Sequence, residues 1–215
     1  MYEVIIFDLD GTLLDTLDDL HTSVNAALAT FSYPLRTREE VRSFVGNGIA
    51  KLIERALGGK TQDFEAVLAA FKAHYGAHCM DKTQAYAGIA SLLQALKNKG
   101  IKAAVVSNKA DFAVQKLAKE YFGDLLCMAV GEDEARGIRK KPAPDSLLSV
   151  LERLGVAKEN AVYVGDSEVD IQTAQNAGVA CISVTWGFKD KEFLIENGGK
   201  IFADNAEELL SYCIA

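Results

Sequence analysis

The sequence has little that would staple or punctuate it. Among 215 residues there are four cysteines, three prolines and a single tryptophan. Cys79, Cys127, Cys181 and Cys213 are scattered without a CxxC pair. That argues against a zinc site or a disulfide framework and suits free thiols in a reducing compartment. With so few prolines there is no proline-rich linker, and neither an internal repeat nor a low-complexity segment is present. An excess of positive charge is lacking too: 23 Lys and Arg stand against 30 Asp and Glu, for a net charge of −7. A protein that grips phosphate backbones needs a basic face, so nucleic acid is not an expected partner. No apolar run approaches the ~18 residues of a membrane span. The N-terminal one is too short, and lacks the basic flank, for a signal peptide. The expectation is a cytoplasmic monomer or homodimer with no membrane partner, its 49% hydrophobic content ample for a core.

What is present has a rhythm. From about residue 88 onward, helix-like stretches alternate with short, continuous apolar runs: "ASLLQALKNKG" then "IKAAVVS", "FAVQKLAKEYF" then "LLCMAVG", "SLLSVLERLG" then "NAVYVGD", "IQTAQNAG" then "ACISVTW". Non-alternating runs between helices indicate parallel strands buried on both faces. Gly100, Gly155 and Gly178 each follow a helical stretch, where a left-handed residue often ends a helix. The opening run Tyr2 to Phe7 belongs with these strands by composition. Between it and Gly88 the pattern is helical, at 17–31, 37–44, 48–57 and 62–80, with a capping box at Thr37 and Glu40. The fold class is therefore α/β, a Rossmann-like parallel sheet with helices on both faces. An all-helical domain over residues 16–82 interrupts a core made of 1–15 and 83–215.

Carboxylates gather where strands end. "VIIFDLDGTLLDT" places Asp8, Asp10 and Asp15 within eight positions of an apolar run, and burying unpartnered carboxylates costs several kcal/mol, roughly. In a parallel sheet, ligands bind beyond the carboxyl ends of the strands. Asp8 ends the first strand, Ser107 and Asn108 end a second, Asp166 ends a third with Asp170 close behind, and Lys141 lies in a loop before a helix. Four carboxylates with one lysine call for a cation. All-oxygen ligands together with a substrate phosphate match magnesium. Gly11 permits a tight turn that could aim backbone N–H groups at an anion.

"DLDGTLLDT", "VVSNK", "KKPAPD" and "GDSEVD" together resemble the four ordered motifs of the haloacid dehalogenase superfamily, whose phosphatases carry a helical cap after the first strand. The resemblance implies that Asp8 is the nucleophile, forming an aspartyl-phosphate, and that Asp10 is the general acid and base. Lys141 would neutralise charge on the phosphoryl group. Ser107 and Asn108 would donate hydrogen bonds to it, and Gly11 and Thr12 would shape the loop around it. Magnesium would be held by the Asp8 carboxylate, the Asp10 main-chain carbonyl and Asp166, with Asp170 behind them. Members that cleave carbon–halogen bonds typically lack the second aspartate, so Asp10 favours phosphate esters. The stretch "VRSFVGNGIAKLIERAL" resembles the cap of bacterial phosphoglycolate phosphatases, which implicates Gly46, Asn47 and Gly48 in substrate selection. Ala143 departs from the histidine such enzymes often carry between the two prolines of the third motif.

Other acids have plainer explanations. Asp15, Asp18 and Asp19 read as first-turn acids favoured by a helix dipole. His74 and His78 have the i, i+4 spacing of metal ligands without an evident third, and read as a helix face. The expected activity is magnesium-dependent hydrolysis of a small phosphomonoester, 2-phosphoglycolate being the leading substrate. A phosphosugar phosphatase or a β-phosphoglucomutase-like phosphotransferase is the enzymatic alternative. A receiver-like phosphoacceptor module is the alternative of another class.

Overall fold

The computed structural model describes residues 2–133, 137 and 139–214. The chain divides into two compact units, one of Met1–Leu14 and Ala85–Ala215 and the other of Asp15–Gln84. In the first, six strands form one sheet in the order β5-β4-β1-β6-β7-β8. They are β1 (Val4–Phe7), β4 (Lys102–Ala110), β5 (Met128–Glu132), β6 (Ala161–Gly165), β7 (Ala180–Val184) and β8 (Phe202–Ala203). Every neighbouring pair is parallel. Numbered within the sheet, this is the doubly wound order 3-2-1-4-5-6, whose direction of winding reverses at its first strand.

That first strand is β1, and its sequence suits the place. All four residues of "VIIF" are fully buried, as a strand flanked on both edges and covered on both faces requires. Phe7 is in register with Val105 of β4 and Val164 of β6. The next residue of each strand therefore reaches the same edge, and Asp8 is fixed there by its N–H donating to Val164 O at 2.8 Å. Helices α5 (Ile89–Asn98), α6 (Asp111–Phe122), α7 (Asp145–Leu154) and α8 (Glu168–Ala177) join successive strands, with α9 (Lys191–Glu196) and α10 (Ala206–Ile214) following β7 and β8. Gly155 and Gly178 cap α7 and α8 at φ +65° and +71°, a conformation other residues adopt at a cost.

The second unit is made of α1 (Leu17–Thr30), α2 (Arg38–Phe44), α3 (Ile49–Ala56) and α4 (Phe64–His78). The chain passes between the units at two short paired strands, β2 (Leu14–Asp15) and β3 (Gln84–Ala85). Thr37 and Glu40 form the expected reciprocal capping box on α2. His74 meets Ser23 at 2.9 Å, and His78 meets Asp81 at 2.8 Å, so both histidine rings serve packing and surface pairing. Asp18 and Asp19 do lie in the first turn of α1, but Asp19 does more than complement a dipole. It is buried and accepts hydrogen bonds from Lys82 N, Thr83 N and Thr83 Oγ1 at 2.8–3.0 Å. The return segment of the helical unit is thus pinned to α1 by one carboxylate.

Replacing Asp19 with alanine removes the buried carboxylate to which Lys82 N, Thr83 N and Thr83 Oγ1 donate. The expected outcome is a loss of about 1–3 kcal/mol of stability, the usual cost of an orphaned buried polar group. Urea unfolding followed by circular dichroism measures it, and an unchanged midpoint would show that water replaces the carboxylate at no cost.

Candidate active site

The carboxyl edge of the sheet, at the reversal of strand order, gathers Asp8 from β1, Ser107, Asn108 and Lys109 from β4, and Asp166 just beyond β6. It also gathers Lys141 from the loop before α7 and Asp170 from the first turn of α8. All are at least nine-tenths buried. Among the described residues they include one group able to hold a metal ion: Asp8, Asp166 and Asp170 each offer an oxygen within 4.8 Å of the others.

Lys141 is the cation of this cluster. Its Nζ lies 2.7 Å from Asp170 Oδ1 and 3.0 Å from Asp8 Oδ1. The Asp8 contact is an ion pair out of hydrogen-bond alignment, and buried Asp8 Oδ1 accepts no hydrogen bond from the described residues. Asn108 seats the lysine: its Oδ1 accepts from Lys141 N at 2.8 Å, and its Nδ2 donates to Lys141 O at 3.0 Å. Ser107 Oγ accepts from Lys109 N at 3.3 Å, which leaves its own proton for a ligand. Thr12 Oγ1 is a second buried oxygen without a partner.

Glycine allows the loops to close on Asp166. At Gly11, with φ +84°, a Cβ would stand 2.2 Å from Asp166 Oδ2. At Gly187, in the loop after β7, it would stand 2.3 Å from Asp166 Cβ and 2.5 Å from Gly11 O. No side chain fits at either position. Phe188 N, next in the same loop, donates to Asp166 Oδ2 at 2.6 Å. Asp170 is held from several sides. Its Oδ2 accepts from Asp166 N, Ser167 N and Ser167 Oγ at 2.6–3.2 Å in a capping box, while its Oδ1 takes Lys141.

Electrostatics follow from this packing. Burial pushes the Asp8 carboxyl up from 3.8 to about 6, with Asp170 and Asp10 adding to the rise and Lys141 opposing it. Burial also raises Asp166 well above the carboxylate range, and the negative charges of Asp170 and Asp8 raise it further against a smaller pull from Phe188 N–H and Lys141. For Lys141 burial acts downward, but Asp170 and Asp8 outweigh it and hold the ammonium well above its usual value. Three carboxylates around one ammonium leave negative charge uncompensated, and Asp8 Oδ1 unfilled. An all-oxygen donor set with these properties fits a hard divalent cation.

Asp10 is paired with a different lysine. Both of its oxygens accept from Lys109 Nζ, at 2.8 and 3.1 Å, in a largely buried ion pair. Lys109 lies inside the "SNK" stretch, where its sequence context gives it no role. Two residues beyond Ser107 in an extended segment, it shares that residue's face, and that spacing was the available signal. Tyr163 reads in the sequence as one more residue of an apolar strand. Yet a buried phenol needs a hydrogen-bond partner, and this one contacts Lys141 Nζ at 2.9 Å. The Gly187–Phe188 loop carried no sequence signal. Gly46, Asn47 and Gly48 lie in the helical unit between α2 and α3, where Arg55 donates to Asn47 Oδ1 at 2.8 Å.

A family model described as haloacid dehalogenase-like hydrolase matches residues 5–184. The phosphoglycolate phosphatase 1 of Pseudomonas aeruginosa is 35% identical over 216 residues, spanning 96% of this chain and 78% of its own. A phosphoglycolate phosphatase of Psychrobacter arcticus is 38% identical over 200 residues, spanning 86% of this chain and 84% of its own. Among solved structures, a candidate phosphoglycolate phosphatase from Lactobacillus delbrueckii subsp. bulgaricus superposes with a TM-score of 0.94 at 38% identity, over 99% of this chain and 98% of that one.

Because Asp8 keeps its proton to about pH 6 when folded and to 3.8 when unfolded, the folded state binds the extra proton between those values. The stability this group confers is present below about pH 4 and is lost as pH rises through 6. In chelator, Asp8→Asn is expected to be more stable than the native chain above about pH 7, by on the order of 3 kcal/mol. The gap closes below about pH 4. Thermal melts across this range measure the difference, and a gap independent of pH would contradict the assignment.

Proposed function

The chain belongs to the haloacid dehalogenase-like hydrolase family, and on that premise we propose that it is a magnesium-dependent phosphomonoesterase whose preferred substrate is 2-phosphoglycolate. The observation that carries the chemistry is Asp8. This carboxylate stands at the rigid end of the central strand with one buried oxygen accepting no hydrogen bond, a lysine ammonium 3.0 Å away and a second aspartate two residues on.

Asp8 attacks the phosphorus of the ester. The ester P–O bond breaks as a P–O bond to Asp8 forms, and the departing alkoxide takes a proton from Asp10. Splitting one hard displacement into two easier ones is the advantage of a covalent route. In the second half, Asp10 takes a proton from water as that water attacks the aspartyl-phosphate. Phosphate leaves, and Asp8 is regenerated as a carboxylate. Lys109, on both oxygens of Asp10, sets the orientation of that acid in the resting molecule. Lys141 lies beside the phosphoryl group throughout, with the Ser107 hydroxyl proton available to one of its oxygens.

Magnesium, held by Asp8, Asp166 and the Asp10 main-chain carbonyl, would supply the positive charge that the cluster lacks. Asp170 serves better as the brace of Lys141 and of the Asp166–Ser167 turn, because both of its oxygens are engaged by the protein.

The substrate assignment rests on relatives. Proteins named phosphoglycolate phosphatase match nearly the whole chain at more than 30% identity, the helical unit included. Selection among phosphate esters belongs to that unit, with Gly46, Asn47 and Gly48 as the residues to vary first.

Phosphate-release assays over a panel of phosphorylated metabolites test the reading. Turnover is expected with 2-phosphoglycolate ahead of sugar phosphates and nucleotides, abolished by chelator and restored by magnesium. Asp8→Asn is expected to lower kcat by at least about 10³-fold. Isomerised sugar phosphate without net phosphate release would identify a mutase instead, and absence of any turnover would leave a phosphoacceptor role.

A further inference from the structure

Lys141 Nζ has three N–H groups, and three oxygens surround it: Asp170 Oδ1 at 2.7 Å, Tyr163 Oη at 2.9 Å and Asp8 Oδ1 at 3.0 Å. Its hydrogen bonds go to Asp170 and Tyr163, while the contact with Asp8 is an ion pair. Two of the three oxygens hold the lysine to the scaffold and the third belongs to the nucleophile. The scaffold pair therefore decides where the charge stands relative to Asp8.

Tyr163 is suited to that task. It is fully buried in β6, among the largest fully buried side chains, in a cluster with Val4, Ile6, Val106 and Leu147. A phenol carries one proton. Tyr163 Oη lies 2.9 Å from Val106 O, the carbonyl preceding Ser107, and 3.2 Å from Asp170 Oδ1. The shorter contact directs the proton to Val106, and the oxygen lone pairs then face the lysine. Burial raises the phenol well above its ordinary value, so it remains a donor. One hydroxyl thus ties together the end of β4, the Lys141 loop and the first turn of α8, whose residues are far apart in sequence.

We propose that Tyr163 is a positioning residue for the phosphoryl-transfer step, aiming the Lys141 ammonium at the Asp8 oxygen and the phosphoryl group it attacks. The proposal rests on the phosphatase reading above. It assigns a role in rate to a residue that would otherwise be core.

Tyr163→Phe removes the oxygen and keeps the ring. In a crystal structure of this variant, Lys141 Nζ is expected to shift away from its contact with Asp8. In steady-state assays kcat is expected to fall about tenfold, the scale of one lost hydrogen bond to a charged group, with KM within about threefold. The discriminating measurement is the double variant. In a Lys141→Met background, Tyr163→Phe is expected to lower kcat no further, because its effect passes through the lysine. The same fold loss in both backgrounds, or an Nζ that stays in place with kcat within about twofold of the native value, would overturn the proposal. Should the native protein release phosphate from no ester, the functional reading falls by itself, and the position of Nζ in the variant structure still decides the role of Tyr163.

Discussion

The ion pairs of Lys141 with Asp8 and Asp170 are the constraint around which the rest is arranged. Three buried carboxylates cannot share one edge of a sheet unless something offsets their repulsion, and one ammonium offsets only part of it. The fold answers by rigidity. Asp8 extends a four-residue strand with no exposed side chain, flanked on both sides by parallel partners. Asp166 is enclosed by two loops that approach it only because Gly11 and Gly187 lack side chains. Apolar packing holds the acids together, and the residual negative charge suits the site to a cation.

Rigidity also determines how that charge can act. Lys141 is gripped through its main chain by Asn108 and through its ammonium by Asp170 and Tyr163. A lysine bound at both ends loses its side-chain freedom during folding, and no reorganisation remains for the moment of reaction. Asp10 meets a different cation. Its side chain is about as buried as that of Asp8, but it pairs with Lys109 where Asp8 pairs with Lys141. Two carboxylates given different environments can take different roles in one reaction.

Much of this was legible in the sequence, for identifiable reasons. Continuous apolar runs such as "VIIF" and "AVYVG" announce buried parallel strands, and the polar residue that ends each run must lie on the ligand-binding edge. Asp8, Ser107, Asp166 and Lys141 are found there because topology alone collects them. What escaped was contact between side chains of distant segments. Lys109 and Asp10 are separated by 99 positions, and nothing local pairs them. Asp19 looked like any first-turn acid, because its partners at Lys82 and Thr83 lie more than 60 residues away. Gly187 carries no local signal, since the need for its missing Cβ exists only once Asp166 is beside it.

The charge inventory finally bears on which reaction the site favours. A phosphomonoester brings further negative charge to an edge where carboxylates already outnumber the ammonium, so without a cation the ground state would be repelled. An uncharged carbon–halogen substrate would meet no such barrier and would need no proton for its halide leaving group. An alkoxide does need one, and in the proposed reaction Asp10, two residues beyond Asp8, is the acid that provides it. The surplus of negative charge and the second aspartate are therefore two parts of one specification. In the proposed reaction, the first calls for a divalent cation that a phosphoryl group can share, and the second would protonate the oxygen that departs from it.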